Sequence, residues 1–278
     1  MEIFYKTTEG NIMVISNVSM KGGVGKSAQT ILLACNLAAR GKKVWVIDLD
    51  PNNSSSLFFS LGIKNIQEIN LEKNVFKLLM DRNAENNIIP SNKENIWLTT
   101  SSIRLPDLRS IDYHVLNNTI SKVKDNYDFV IIDTPPTYDN HVMSAIFAAD
   151  IIFTPVEFNQ DNINTARYLR EKIMEELPEK YSCWYINYAR WESQWENIGN
   201  STQSQFVNAF EEVFENILDG VKIPSTTAAK AYINFGEKLN INSKKTMGNK
   251  KLAIAINQLA NLLIGAEVND TSKYVETF

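Results

Sequence analysis

Cysteine is scarce in this 278-residue chain: Cys35 and Cys183 stand far apart in apolar surroundings, and neither belongs to a CxxC or Cys/His cluster. That excludes a disulfide scaffold and leaves no ligand set for zinc or an iron–sulfur cluster, so both are expected to act as small core hydrophobes. The two histidines, His114 and His141, have no third ligand or nucleophile beside them and read as ordinary polar residues. No apolar run approaches the ~18 residues of a membrane-spanning helix. The N-terminus, with Glu2, shows no long apolar segment followed by a small-residue cleavage site, so a cytoplasmic protein is expected. Positive charge is not in excess either. Lys and Arg total 28 against 32 Asp and Glu, a net charge of -4, so any contact with nucleic acid or anionic lipid must come from a local patch.

Hydrophobic residues at 44% and charged residues at 22% suit a globular chain, and a single domain over 1–278 is expected, with 266–278 as a flexible tail. Short β-rich runs alternate with helical patterns from end to end. Strands are expected at Asn11–Val18, Lys43–Asp48, Ile96–Thr99, Phe129–Asp133, Ile151–Val156, Cys183–Asn187 and Gly220–Ile223. Helices are expected at Ser27–Arg40, Thr165–Glu176, Ser201–Leu218 and Asn249–Leu263. Several strands are continuously apolar, as strands covered on both faces must be. The implied fold class is α/β: a doubly wound, mostly parallel sheet with helices on both faces. Asn52–Asn95, Ala189–Thr202 and Ala266–Phe278 do not fit the alternation.

The most informative stretch is Met20-Lys21-Gly22-Gly23-Val24-Gly25-Lys26-Ser27, between a β-branched strand and an amphipathic helix. Its glycines let the backbone turn N–H groups toward an anion without Cβ collisions, and the following helix adds its positive N-terminal end. Lys26 would neutralise the β- and γ-phosphates of a nucleotide, and the Ser27 hydroxyl would supply one ligand to an octahedral Mg2+. Average composition produces such a string by chance in about one chain in ten thousand of this length. Met20 stands where the usual P-loop has its first glycine, and an extra lysine, Lys21, begins the loop.

With that second lysine the sequence resembles the deviant-Walker ATPases of the ParA/MinD family, P-loop NTPases, and the resemblance covers most of the chain. It is carried also by Val46-Ile47-Asp48-Leu49-Asp50-Pro51, by Val130-Ile131-Ile132-Asp133-Thr134-Pro135-Pro136, and by Ile223-Pro224 where the family contacts adenine. The resemblance implies ATP and Mg2+ as cofactors. It implies a nucleotide-sandwich homodimer in which Lys21 reaches the phosphates of the other subunit and Gly22 lies where no side chain fits. Asp50 would orient the attacking water, and Asp48 and Asp133 would hold magnesium through its water shell. The bound nucleotide would touch Lys21, Gly22, Gly23, Val24, Gly25, Lys26, Ser27, Ala28 and Pro224; Ala28 replaces a threonine that commonly contacts the α-phosphate, and its backbone N–H remains available. Asp48 or Asp50 could instead cap the segment Asn52–Ser60, and Asp133 could serve a turn.

MinD-type members end in a basic amphipathic membrane helix; here the tail after Leu263 is acidic, so no membrane partner is expected. ParA-type members bind DNA without sequence preference, and the candidate patch is Lys238, Lys244, Lys245, Lys250 and Lys251 in a run free of acids. Ser225 stands where such proteins often carry an arginine, and a solvated loop explains the same lysines. Arg167, Arg170 and Arg190 are the alternative DNA contacts. The resemblance thus implies a partition ATPase stimulated by a ParB-like partner and associated with the nucleoid. The alternatives are a positioning switch that never touches DNA and, less well supported, a small-molecule kinase. Trp191 and Trp195, four apart, would share a face if helical, either covering the sheet edge or forming a docking surface.

Overall fold

Along β2 (Val44–Asp48), Val44 and Val46 pack into one hydrophobic cluster while Trp45 and Ile47 pack into another. β5 (Phe129–Asp133) divides in the same way, Phe129 and Ile131 against Val130 and Ile132. Side chains alternate faces along a strand, so two clusters per strand mean a sheet buried on both sides. The structure, a computed structural model, describes residues 12–265 apart from 109, 158, 192–204, 206–207, 209, 212–213 and 236–246.

The remaining strands are β1 (Met13–Asn17), β3 (Ile89–Pro90), β4 (Ile96–Thr99), β6 (Ile151–Val156), β7 (Trp184–Trp191) and β8 (Ile217–Pro224). They form an 8-stranded sheet in the order β3-β4-β2-β5-β1-β6-β7-β8. Every pairing is parallel except β3 with β4. The α-helices whose bounds lie among the described residues are α1 (Lys26–Ala39), α2 (Ser54–Ser60), α3 (Ile66–Glu72), α4 (Val75–Asp81), α5 (Val115–Ile120), α6 (Asn140–Ala148), α7 (Gln160–Glu176), α8 (Thr227–Phe235) and α9 (Met247–Ile264). One face is covered by α1 and α9 through Ile31, Leu33, Ile256 and Leu259. The other is covered by α4 and α5 through Leu78 and Leu116, and by α7 through Leu169 and Ile173. Winding reverses at β1, whose neighbours are β5 and β6, and ligands of such sheets sit outside the carboxyl ends of the strands at that point.

The doubly wound expectation holds, and β4, β5 and β6 match their expected limits residue for residue. β3 is an addition, a two-residue antiparallel edge. α7 begins at Gln160 rather than Thr165, because the Asn159 side chain accepts the Asn162 N–H and caps a polar first turn. Half of the helix expected over Ser201–Leu218 lies outside the described residues, and its expected end is wrong: Ile217 and Leu218 already belong to β8. There Ile217 pairs with Ile186 of β7, so the sheet ladder takes the backbone groups a helix would have used. Helices α2 to α4 occupy the stretch Asn52–Asn95 that showed no regular pattern. Trp191 is the last residue of β7, buried and packed against Tyr188 with ring centroids 5.5 Å apart, so it covers the sheet as a strand residue. Trp195 and the tail 266–278 lie outside the described residues.

Candidate nucleotide site

β1 ends at Asn17 and the chain turns through Ser19–Gly25 into α1. Gly23 and Gly25 have φ of 75° and 104°, backbone that a side chain would strain, whereas Gly22 has only Pro136 side-chain atoms 3.9 Å from where a Cβ would stand. The monomer therefore accommodates a small side chain at Gly22. Lys26, in the first turn of α1, is buried and its ammonium donates to the carbonyls of Ser19 at 2.9 Å and Lys21 at 3.2 Å. Burial lowers its pKa, and the charges of Asp133 and Asp50 oppose that fall. The amine is thus folded over the loop, within an acidic surround that a phosphate could replace.

Asp48 and Asp133 are register partners at the ends of β2 and β5, both fully buried. Asp48 Oδ2 accepts from the Ser56 N–H at 2.8 Å and its hydroxyl at 2.7 Å, and Oδ1 accepts from the Asp50 N–H at 3.0 Å. Its oxygens tie β2 to α2, the capping use that the sequence allows. Asp133 Oδ2 accepts the Ser55 hydroxyl at 2.6 Å, and the Ser27 hydroxyl is near enough to help lower the pKa of the same carboxyl, but Oδ1 is buried without a hydrogen-bond partner. An orphaned carboxylate oxygen beside the P-loop serine fits a cation. Among the described residues no group of three His, Cys, Asp or Glu converges on one metal position, so such a cation would draw its other ligands from water and phosphate, as Mg2+ does. Asp50, nearly buried, accepts the Asn52 N–H at 2.9 Å, while its carbonyl accepts the Ser101 hydroxyl at 2.7 Å.

Burial, and after it the Asp133 charge, push Asp48 up to about 8; burial pushes Asp133 up to about 6 against the pull of Ser55, Ser27 and Lys26. Carboxylates raised above their unfolded value of 3.8 favour folding fully below that value and lose the contribution as pH rises through their folded pKa. The melting temperature of nucleotide-free protein should therefore fall relative to an Asp133→Asn variant as pH rises from about 4 to about 6. A difference between the two proteins that stays constant with pH would refute the shift.

A cleft of about 170 Å3 opens beside the loop, and its lining includes Gly23, Gly25, Ala28, Arg190, Ile223, Pro224, Lys230 and Leu252. It is small beside the ~300–1,000 Å3 of sites for whole drug-sized ligands and suits a base, with the phosphates on the loop. Pro224, expected from the resemblance to contact adenine, lines this cleft. A hollow of about 390 Å3 near Cys35, Lys93 and Tyr232 contains no loop residue, so size does not choose the site. Three groups escape the sequence reading. Ser55 and Ser56 reach the carboxylates across 78 and 8 positions, with only the serine run after Pro51 as a signal. A buried chain of amides behind the loop joins Asn17, Gln29 and Asn187, Gln29 Nε2 donating to Asn17 Oδ1 at 2.9 Å and Asn187 Nδ2 to Gln29 Oε1 at 3.0 Å. Arg190, expected only as an alternative DNA contact, lines the cleft.

Lys21 is turned away from this site: its ammonium pairs with Asp161 on α7 at 3.1 Å, both side chains exposed. Lys250 is exposed and Lys251 half-buried in the first turn of α9, next to cleft-lining Leu252. Lys238, Lys244 and Lys245 lie outside the described residues. Among the described residues no helix is long and apolar enough to cross a membrane.

Residues 11–178 match a family model described as an AAA domain. The chain belongs to that family, within the ParA/MinD group of P-loop ATPases. Two Pseudomonas putida proteins of uncharacterized function are 28% identical over 155 residues, 52% of this chain and 56% of theirs, so the match spans little more than half of their length. The sporulation initiation inhibitor protein Soj of Bacillus subtilis is 30% identical over 182 residues, 60% of this chain and 69% of Soj. Among solved structures, an ATP complex of a Cyanothece McdA variant superposes with a TM-score of 0.76 at 19% identity, covering 93% of this chain and 98% of that one. A plasmid partition protein from Borrelia burgdorferi gives 0.62 at 20%, covering 80% and 95%. These likenesses establish the doubly wound P-loop fold.

Proposed function

We propose that the protein is a ParA-like ATPase in which Mg-ATP closes two copies into a sandwich dimer that binds DNA without sequence preference, hydrolysis stimulated by a ParB-like protein releasing it, in plasmid or chromosome partition. The observation that carries this reading is the pair of lysines in one loop. Lys26 already occupies its own cradle, whereas the exposed Lys21 ammonium pairs, among the described residues, with Asp161, an ion pair weak enough to exchange for a phosphate in another subunit. A lysine supplied in trans stabilises charge on the transferring phosphoryl group and ties hydrolysis to pairing. Gly22, which the monomer does not require to be glycine, suits a face that a second copy approaches closely.

Ser27 and Asp133 would hold Mg2+, with Asp48 fixing the neighbouring segment and reaching the ion through water. The ion, when bound, neutralises charge between the β- and γ-phosphates. Asp50 orients the attacking water from the turn between β2 and α2, and Lys26 neutralises the phosphates. The partition role draws support from the plasmid partition protein among the superposed structures. The second reading is a positioning or regulatory switch that acts through protein or membrane partners without DNA.

Anisotropy of random-sequence duplex DNA tests the choice. Binding should appear with Mg-ATP and not with Mg-ADP. Neutralising Lys238, Lys244, Lys245, Lys250 and Lys251 together should weaken it and reduce the salt-dependence slope by about one unit for each DNA phosphate left without its lysine. Binding to anionic vesicles without binding to DNA would overturn the partition reading in favour of the positioning switch.

A further inference from the structure

We infer that Arg190 is a nucleotide-binding residue whose guanidinium takes the α-phosphate, at the junction between the base cleft and the P-loop. The inference rests on the nucleotide reading above and assigns a contact within it.

The argument begins in β7. Tyr188 and Trp191 both pack in the cluster beneath α7, their rings 5.5 Å apart, although residues three apart in a regular strand point to opposite faces. The conflict is resolved at position 190. The register between β7 and β8 shifts between Ala189 and Trp191, and Arg190 has φ of 52°, left-handed backbone that is uncommon for a non-glycine residue. Such a bulge re-aims one side chain out of the strand's alternation, and bulges gather beside active sites. Ala189 and Trp191 stay buried while the Arg190 side chain swings out across the loop. One guanidinium nitrogen lies 3.6 Å from where a Cβ on Gly23 would stand, and the other bonds Glu157, just past the end of β6, at 3.3 Å. The ion pair is partly exposed and gives little reason by itself to keep a strained arginine.

Position within the cleft selects the ligand atom. Loop amides and Lys26 serve the β- and γ-phosphates, and Ile223, Pro224 and Leu252 give the cleft apolar lining on which a base fits. Arg190 lines the same cleft, a guanidinium nitrogen beside Gly23, and so does Ala28, which has no hydroxyl to offer the α-phosphate. A guanidinium presents a planar fork of donors matched to phosphate oxygens, and Glu157 pre-orients it. The contact would form with ADP and ATP alike, unlike that of Lys21, which belongs to the ATP-bound pair.

Isothermal titration of Mg-ADP and Mg-ATP into full-length Arg190→Gly and Arg190→Lys proteins tests this. Glycine accepts the left-handed backbone, so the variant should keep its melting temperature and lose only the side chain. The expected result is a drop of about tenfold to a hundredfold in affinity for both nucleotides with glycine, partly restored with lysine. Unchanged ADP affinity, or a loss confined to ATP, would overturn the assignment. Lys26→Ala in the same series separates the two claims. Binding that survives Arg190→Gly but not Lys26→Ala removes the role of Arg190 and leaves the nucleotide site standing, whereas a wild-type protein that binds neither nucleotide overturns the site itself.

Discussion

Replacing Lys26 with alanine is expected to abolish measurable nucleotide binding, a loss of at least about a hundredfold for ATP and ADP. The ammonium sits in the first turn of α1 at the focus of the loop, donating to the Ser19 and Lys21 carbonyls. Those carbonyls can be traded for phosphate oxygens with little movement. Hydrogen bonds to charged groups contribute about 1.5–3 kcal/mol each, and two phosphates lose theirs together. Without the amine, the β/γ charge would also face Asp133 and Asp50 with no cation of this chain's own loop between them. Calorimetric titration reads the outcome, and an unchanged dissociation constant would refute the P-loop assignment. The fold should survive, because α1 is joined to the sheet by Ile31, Leu33, Leu37 and their apolar neighbours rather than by Lys26.

The second large effect is expected at Asp50, with the opposite signature. Its carboxylate accepts the Asn52 N–H and its carbonyl the Ser101 hydroxyl, so it is a fixed group at the carboxyl end of β2 rather than part of the phosphate cradle. Asp50→Ala should bind ATP with near wild-type affinity and hydrolyse it about a hundredfold to ten-thousandfold more slowly, the range a positioned acid–base group contributes. Single-turnover hydrolysis beside nucleotide titration separates the two parameters. Normal turnover would move the catalytic carboxylate elsewhere.

How much of this is legible in the sequence depends on how local each cause is. The loop is readable in full because its requirements are carried by adjacent residues, with left-handed backbone at Gly23 and Gly25 and the amine at Lys26. β4, β5 and β6 are readable because apolar β-branched runs bounded by turns have one good solution in a sheet covered on both faces. α2 to α4 are not. Each is 7 residues long, α3 buries no residue fully, and of the three α4 alone has a side-chain cap, Asn74 accepting the Lys77 N–H. The serines that hold Asp48 and Asp133 follow from that unread stretch, since α2 must form before Ser55 and Ser56 can face the strand ends. Arg190 is unreadable for a different reason. Its direction depends on a bulge that lets two aromatic rings share a cluster, and strand alternation alone sends the side chain elsewhere. For Asp48 the sequence allows two uses, and the structure displays the capping one directly.

The central claim is that ATP, through Lys21, controls the pairing of two copies. Sedimentation velocity of the Asp50→Ala protein, alone and combined with Lys21→Ala, measures it most directly, because blocked hydrolysis holds the ATP state while the run lasts. The account predicts a dimer for Asp50→Ala in Mg-ATP, a monomer in Mg-ADP, and a monomer in both nucleotides once Lys21 is also removed. A protein that stays monomeric in Mg-ATP while binding it, or a dimer that forms regardless of nucleotide and of Lys21, would contradict it.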